Sequence, residues 1–437
     1  MNNMAEDTIK ADILIKNGYL LSMNKGPKVI KHCDVAIKGN RIAMVGPTGQ
    51  GQVDASRVID AKYKVIMPGL INCHTHCGMT IFRGVANDLP LMDWLQTLWP
   101  LEDKLTQEMV YWISLLSIAE MIKSGTTTFA DMYFHMDATA RAVEDSGIRA
   151  VLARGLQGAG YDMQDIRIRE NRELYDKWHG GAGGRIKVMA GPHAVYTCSE
   201  EYIKAVLDLV DKTGMEIHIH VSETQDEVRQ CKNTTGMTPV AYLNKLGLLD
   251  RPVVAAHCVH VTREDMEILR EKDVGVVYNP SSNCKLASGF APVVDMQRLG
   301  ITIGLGTDGA SSNNNLDMFR EIRLASLINK AVYKDATALP AGTVLSMATL
   351  GGSQVLNWPD IGTVEQGKLA DIILIDIDGL HFYPLSDIKT HLVYSGGGRD
   401  VSTVIIDGQV VMDNGVLSTI DEEEVKHRVQ KYFKAIV

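Results

Sequence analysis

The chain has 437 residues, more than one hydrophobic core usually serves, so a large domain and a smaller one are expected. Hydrophobic residues at 45% and charged residues at 22% exclude a disordered composition, and a net charge of −9 with no basic run argues against nucleic acid or any other polyanion as partner. Seven cysteines, an odd number with no CxxC pair, read as reduced thiols and point to a cytoplasmic setting.

The opening MNNMAEDTIKAD is polar and acidic, unlike the basic and then apolar start of an export signal. Residues 12–64 alternate short β-branched runs with Asn-Gly and Gly-Asn turns, which predicts antiparallel sheet. The same texture returns in KLADIILIDID and VSTVIIDGQVVMDNGVL, so both chain ends are expected to build one small β-sandwich from residues 1–64 and 360–437. Apolar runs stop at about eight residues, well short of the ~20 needed to cross a bilayer, so no membrane partner is expected.

Over residues 65–359 apolar runs alternate with helix-length amphipathic stretches, the pattern of repeated βα units. Eight strands are predicted: VIMPGLINCH, TTTFADM, IRAVLARG, RIKVMAGPH, MEIHIHVSE, PVVAAHCVH, VGVVYNP and TIGLGTDG. In the helix between the first two, Ile113, Leu116, Ala119 and Ile122 fall on one face and Gly125 caps the end. The fold class is therefore α/β, a (β/α)8 barrel of TIM type flanked by the small β domain. Such a barrel builds its site at the C-terminal ends of its strands. There the chain carries His74 and His76, His193, His220 with Glu223, His257, and Asp308.

His74 and His76 in NCHTHCG are two residues apart, so on a strand both imidazoles point to one side and can grip one ion. His220 closes an apolar strand, and Asp308 closes another after a Gly-rich run; alone, that aspartate would read equally as a turn or helix cap. Together the imidazoles and the carboxylate form an N/O set suited to one zinc ion, with iron, manganese and nickel as alternatives. A divalent cation lowers the pKa of its water toward roughly 7 and supplies hydroxide. Glu223 lies just past its strand end, near enough to give a proton to a substrate ring, or else merely opens the helix TQDEVRQ. His257 and His260 compete for one role; His257 follows its strand directly and is expected to face the interior and hold the attacking hydroxide. His218, on the face of His220 but deeper, reads as a core histidine.

These residues resemble the amidohydrolase superfamily and, within it, the methylthioadenosine/S-adenosylhomocysteine deaminase family. The resemblance runs almost end to end and rests on PGLINCHTHCGMTIFRGVANDLPLMDWL, WPLE, SGTTTFADMY, GPHAVYTC, HIHVSET, AAHCVH, NPSSNCKLASG and GLGTDGASSNNNLD. It implies His74, His76, His220 and Asp308 as metal ligands, Glu223 as proton shuttle, His257 as the residue orienting the water, and Asp308 as acceptor of its proton. It further implies that Glu102 receives the ribose hydroxyls, that Arg154 and His193 contact the nucleoside, and that Ser312 touches the purine. An arginine at a strand end equally pairs with a protein acid, and Trp94 and Trp99 read as well for an apolar lid as for core.

Binuclear relatives place a lysine at the end of strand four, whereas this chain has Gly191, Pro192 and His193 there, with Lys187 earlier; one metal is expected. His135, Cys73 and Cys77 carry no expectation from the family. The implied activity is hydrolytic deamination of 5'-methylthioadenosine, S-adenosylhomocysteine, adenosine or 5'-deoxyadenosine to the inosine-type product, by a homo-oligomer. The rival readings are a deaminase or chlorohydrolase of another heterocycle (guanine, pterin, triazine) and a non-catalytic barrel scaffold.

Overall fold

The computed structural model describes residues 8–24 and 26–437, and the opening residues 1–7, read above for an export signal, lie outside it. One sheet holds eight parallel strands in chain order: Leu70–Thr75, Thr126–Tyr133, Arg149–Leu156, Ile186–Pro192, Ile217–Val221, Val253–His257, Gly275–Tyr278 and Ile303–Leu305. The last returns to the first, where the Asp308 N–H donates to the His74 carbonyl at 2.9 Å, so the barrel nearly closes. Helices pack outside it. Gln107–Lys123 is capped by Thr106, whose side chain accepts from the Met109 N–H, and Gly125 beyond its end takes a φ of +88°. Its Ile113, Ala119 and Ile122 are buried, while Leu116 is only half-buried.

The second sheet has nine strands, five from the start of the chain and four from its end. The two sets join where Lys64–Pro68 runs antiparallel to Ile372–Asp376. Ile13, Ile15, Val35, Ile66, Ile372 and Leu374 form its dry interior. The sheet expected to be antiparallel over 12–64 is mixed: Ile9–Leu21 pairs parallel with Val53–Asp60 and with Lys64–Pro68. The reason is that Val29–Lys38 and Arg41–Pro47 form a hairpin on one edge of Ile9–Leu21, so the chain re-enters on the other edge in the same direction.

The single strand expected over VIMPGLINCH is two. Lys64–Pro68 belongs to the outer sheet and Leu70–Thr75 to the barrel, with Gly69 alone between them. The Gly69 N–H donates to the Asp371 carbonyl at 3.0 Å, and a Cβ there would collide with the Thr127 side chain, so only glycine lets the chain cross. Nearby, Arg149 of the third barrel strand is fully buried and donates to Asp371 (2.7 and 3.1 Å) and Asp407 (3.0 Å), tying barrel to outer sheet.

Candidate metal and catalytic site

The barrel strands deliver their polar residues to one mouth. His74 lies on the first strand and His76 one residue past it, His220 is next to last in the fifth, His257 ends the sixth, and Asp308 follows the eighth. Asp308 Oδ1 stands 3.5 Å from His74 Nε2 and 3.1 Å from His76 Nε2, and His76 Nε2 stands 3.3 Å from His220 Nε2. Four ligands about 2.1 Å from a tetrahedral ion would lie about 3.4 Å apart, so the spacing fits.

The imidazoles are turned by their second nitrogens. His76 Nδ1 donates to the Met132 carbonyl at 2.6 Å and His220 Nδ1 to the His193 carbonyl at 2.8 Å. His74 Nδ1 meets His218 Nε2 at 2.9 Å, which leaves His74 Nε2 buried with no protein partner. Three Nε2 atoms thus face one point beside Asp308, an arrangement that a cation held there would satisfy. His218 is therefore more than a satisfied core residue: it sets the tautomer of His74.

Burial keeps His74, His193 and His257 neutral, each lowered to about 4, and holds His220 well below its ordinary value. His76 differs: burial opposes its charge, but Asp308 outweighs burial and raises it to about 9. Burial also opposes ionisation of Asp308, yet His74 and His76 hold it well below the usual carboxylate range. The other Asp308 oxygen accepts from Ser282 (2.6 Å) and Ser312 (3.0 Å).

Beside this cluster Glu223 is buried, and burial first, then Asp308, pushes its acid up to about 8. Its Oε1 accepts from Ser288 at 3.3 Å and its Oε2 lies 3.8 Å from His257 Nε2. His257 Nδ1 accepts from Asn283 (2.9 Å) and Asn279 (3.3 Å), so its Nε2 carries the hydrogen and faces the cavity as a donor. Ser222, His257 and Asp308 all have left-handed backbone, at φ of +51°, +74° and +60°. Such strain, at about 1–3 kcal/mol per residue, concentrates where function fixes the geometry.

A cavity opens above, its free space about 710 Å³ with the solvent-filled mouth included. His76, His193, His220, Glu223, His257 and Asp308 form its floor, and Leu91, Trp94, Leu95, Trp99 and Phe134 line it with apolar surface. Trp94 is 5% exposed and Trp99 37%, so one is sealed into the wall and the other sits at the rim. Glu102, at the end of helix Leu91–Glu102, is buried and accepts from the Tyr133 hydroxyl at 2.7 Å; burial raises its acid to about 7.

Two expected substrate contacts are engaged by protein groups and are not among the residues lining the cavity. Arg154 donates to Glu170 at 2.7 Å and to the Gly155 carbonyl at 2.5 Å and does not line the cavity, because the nearby acid claims the guanidinium. Ser312 is spent on Asp308 rather than on the cavity wall. Lys187 donates to the Asn357 carbonyl at 2.7 Å, away from the ligands. His135 caps helix Met136–Ser146 in a left-handed conformation and bonds the Leu105 carbonyl at 3.1 Å. Cys73 and Cys77 are buried thiols raised by burial. The residues not anticipated are Tyr133, Tyr196 and Gln157 in the cavity, and Ser282, Asn279, Asn283 and Ser288 behind it.

Three imidazoles and a carboxylate aimed at one point call for a cation, and a cation next to a buried acid serves hydrolysis; barrel and site together define a metal-dependent hydrolase. The sequence pattern described as "Amidohydrolase family" matches residues 65–411. The chain is 50% identical over 429 residues to the 5-methylthioadenosine/S-adenosylhomocysteine deaminase of Thermoanaerobacter pseudethanolicus, covering 98% of this chain and 99% of that one. Among solved structures, a zinc-bound adenosine deaminase from Xanthomonas campestris superposes with a TM-score of 0.94 at 36% identity, covering 98% of this chain and 99% of the other. The zinc complex of atrazine chlorohydrolase from Arthrobacter aurescens superposes at 0.90 with 26% identity, covering 96% and 100%. The chain belongs to the amidohydrolase family and, within it, to the 5-methylthioadenosine/S-adenosylhomocysteine deaminases.

Proposed function

We propose that the chain removes the 6-amino group of 5'-substituted adenine nucleosides, 5'-methylthioadenosine and S-adenosylhomocysteine first among them, with adenosine and 5'-deoxyadenosine as further substrates. The observation that carries this reading is the buried Glu223 acid, protonated at neutral pH next to a ligand cluster and under an apolar, aromatic-lined cavity.

His74, His76, His220 and Asp308 would hold one zinc ion, which when bound lowers the pKa of water toward roughly 7. A single ion is supported by both candidate ligand groups among the described residues sharing His74, and by Lys187 donating to the Asn357 carbonyl rather than to any of them. Glu223 gives its proton to N1 of the adenine as water oxygen bonds to C6. Asp308 takes one of the two protons that this oxygen releases and passes it to the 6-amino group, and the other restores the Glu223 acid. His257 Nε2–H donates to the oxygen at C6 as charge gathers there. The C6–N6 bond then breaks, ammonia leaves, and the inosine-type product keeps the proton on N1.

Glu102 can accept two ribose hydroxyls, one oxygen already steadied by Tyr133, and His193 presents a neutral ring to the base. The net charge and apolar cavity support a small-molecule substrate over a polyanion. The unpaired, mostly buried cysteines support a cytoplasmic protein, no described helix is long and apolar enough to cross a membrane, and we take the chain to be a homo-oligomer.

The assay is loss of adenine absorbance with ammonia release on methylthioadenosine, S-adenosylhomocysteine, adenosine and 5'-deoxyadenosine. No absorbance change with any of them overturns the reading. Turnover of guanine, a pterin or a chlorotriazine instead would favour the other heterocycle, and a folded protein that binds no metal would favour the scaffold.

A further inference from the structure

Glu223 sits on a short connection between the fifth barrel strand, which ends at Val221, and helix Gln225–Thr235. Thr224 caps that helix by accepting from the Glu227 N–H at 3.2 Å. The Glu227 side chain turns back past the cap. Its Oε1 accepts from the Ser222 N–H at 2.9 Å and its Oε2 from the Glu223 N–H at 2.7 Å. Each oxygen serves one backbone donor, in a residue that is 4% exposed and has no cationic partner among the described residues. Burying a carboxyl in this way costs free energy that ordinary helix capping does not require.

The donors it meets explain the placement. Ser222 has a φ of +51°, a conformation that turns the chain sharply out of the strand and that serine adopts only under constraint. On the other side the Ser222 carbonyl accepts from the His260 N–H at 2.9 Å. The His260 ring donates to the Ser288 carbonyl at 2.6 Å, and the Ser288 hydroxyl reaches Glu223 Oε1. His260 and Ser288 thus hold the head of Glu223, while Glu227 holds the backbone from which it springs.

The geometry points to Glu227 as the positioning residue of the reaction: its carboxyl clamps the Ser222 and Glu223 N–H groups and so aims the Glu223 acid at the heterocycle. The assignment rests on the reading of Glu223 as the group that protonates the ring. A displacement of about 1 Å in an acid of this kind costs on the order of 100-fold in rate, so a clamp on its backbone has kinetic weight.

The test is E227Q in the full-length, zinc-loaded protein, since glutamine keeps the size but turns an amide toward one of the two donors. Folding is followed by circular dichroism and metal content by elemental analysis. We expect kcat to fall about 10- to 100-fold with KM within about threefold of the parent. We also expect E227Q to cost nothing further when added to E223Q, because it acts through that side chain. An unchanged kcat, or the same fold loss in the E223Q background, overturns the assignment. If E227Q does not fold, E227D, too short by one methylene to reach both donors, is measured in its place, and an intact kcat there overturns it equally. Each variant is compared with its parent on whichever heterocycle the parent deaminates. A parent inactive on adenine nucleosides therefore refutes the substrate reading and not the clamp.

Discussion

Glu223 Oε2 stands 3.8 Å from Nε2 of His257, both side chains sealed from solvent at the barrel mouth. Burial first, and Asp308 second, raise the acid to about 8, while burial lowers the imidazole to about 4. At pH 7 the pair is a protonated acid beside a neutral N–H donor. As pH rises through about 8 the acid loses its proton, so kcat/KM falls on the alkaline side. E223Q is expected to lose about 10²- to 10⁴-fold, and its residual rate to lack that alkaline limb in a pH profile.

Chelation is expected to abolish turnover and added zinc to restore it, with the far-ultraviolet circular dichroism unchanged, because the barrel core is independent of the ligands. Replacing His218, which holds His74 Nδ1 at 2.9 Å, lowers zinc affinity by about 10- to 100-fold without removing a ligand. Competition of H218A with a chromogenic chelator measures this, and an unchanged affinity would show that His218 is only filler.

E102Q removes the carboxylate, ionised above about pH 7, that ribose hydroxyls would meet. Hydrogen bonds to a charged group are worth about 1.5–3 kcal/mol, so kcat/KM for ribosides should fall about 10- to 100-fold. Y133F, which takes away the 2.7 Å donor to Glu102, should show a smaller loss in the same direction. A 2',3'-dideoxy nucleoside should be indifferent to both changes.

Arg154 is expected to stay with Glu170. R154A should then change kcat/KM for methylthioadenosine and S-adenosylhomocysteine by one common factor. A loss confined to S-adenosylhomocysteine would mean that the guanidinium leaves Glu170 for the substrate carboxylate.

R149M leaves Asp371 and Asp407 facing each other without their ion-pair partner. Breaking a buried ion pair by removing one partner costs about 3–5 kcal/mol, which a urea titration should report as a lower midpoint. Activity per folded molecule should be nearly unchanged, since the cluster lies away from the mouth.

The barrel and the candidate ligand cluster were legible because repeated βα texture and residues such as His74, His76, His220 and Asp308 advertise their chemistry by type and position. The outer sheet was legible as to its composition but not its connectivity: no local pattern says that Ile9–Leu21 takes parallel neighbours on one edge. The break at Gly69 was hidden because apolar residues flank it on both sides. Ser282, Asn279 and Asn283 went unassigned because neutral amides and hydroxyls after the seventh strand are generic turn residues until the fold sets them against His257 and Asp308. Arg154 is ambiguous in the sequence for the opposite reason: its charge attracts a functional reading, and only three-dimensional proximity reveals Glu170 as a partner.

The one-residue crossing at Gly69 has an engineering corollary. No flexible tether separates the outer sheet from the strand that bears His74 and His76; the last outer strand runs straight into it, and the C-terminal segment is stitched alongside. A minimal enzyme cut down to the barrel alone would start from an unanchored ligand strand. Grafting, circular permutation or truncation should therefore keep both ends of the chain and spend its freedom on the surface hairpins instead.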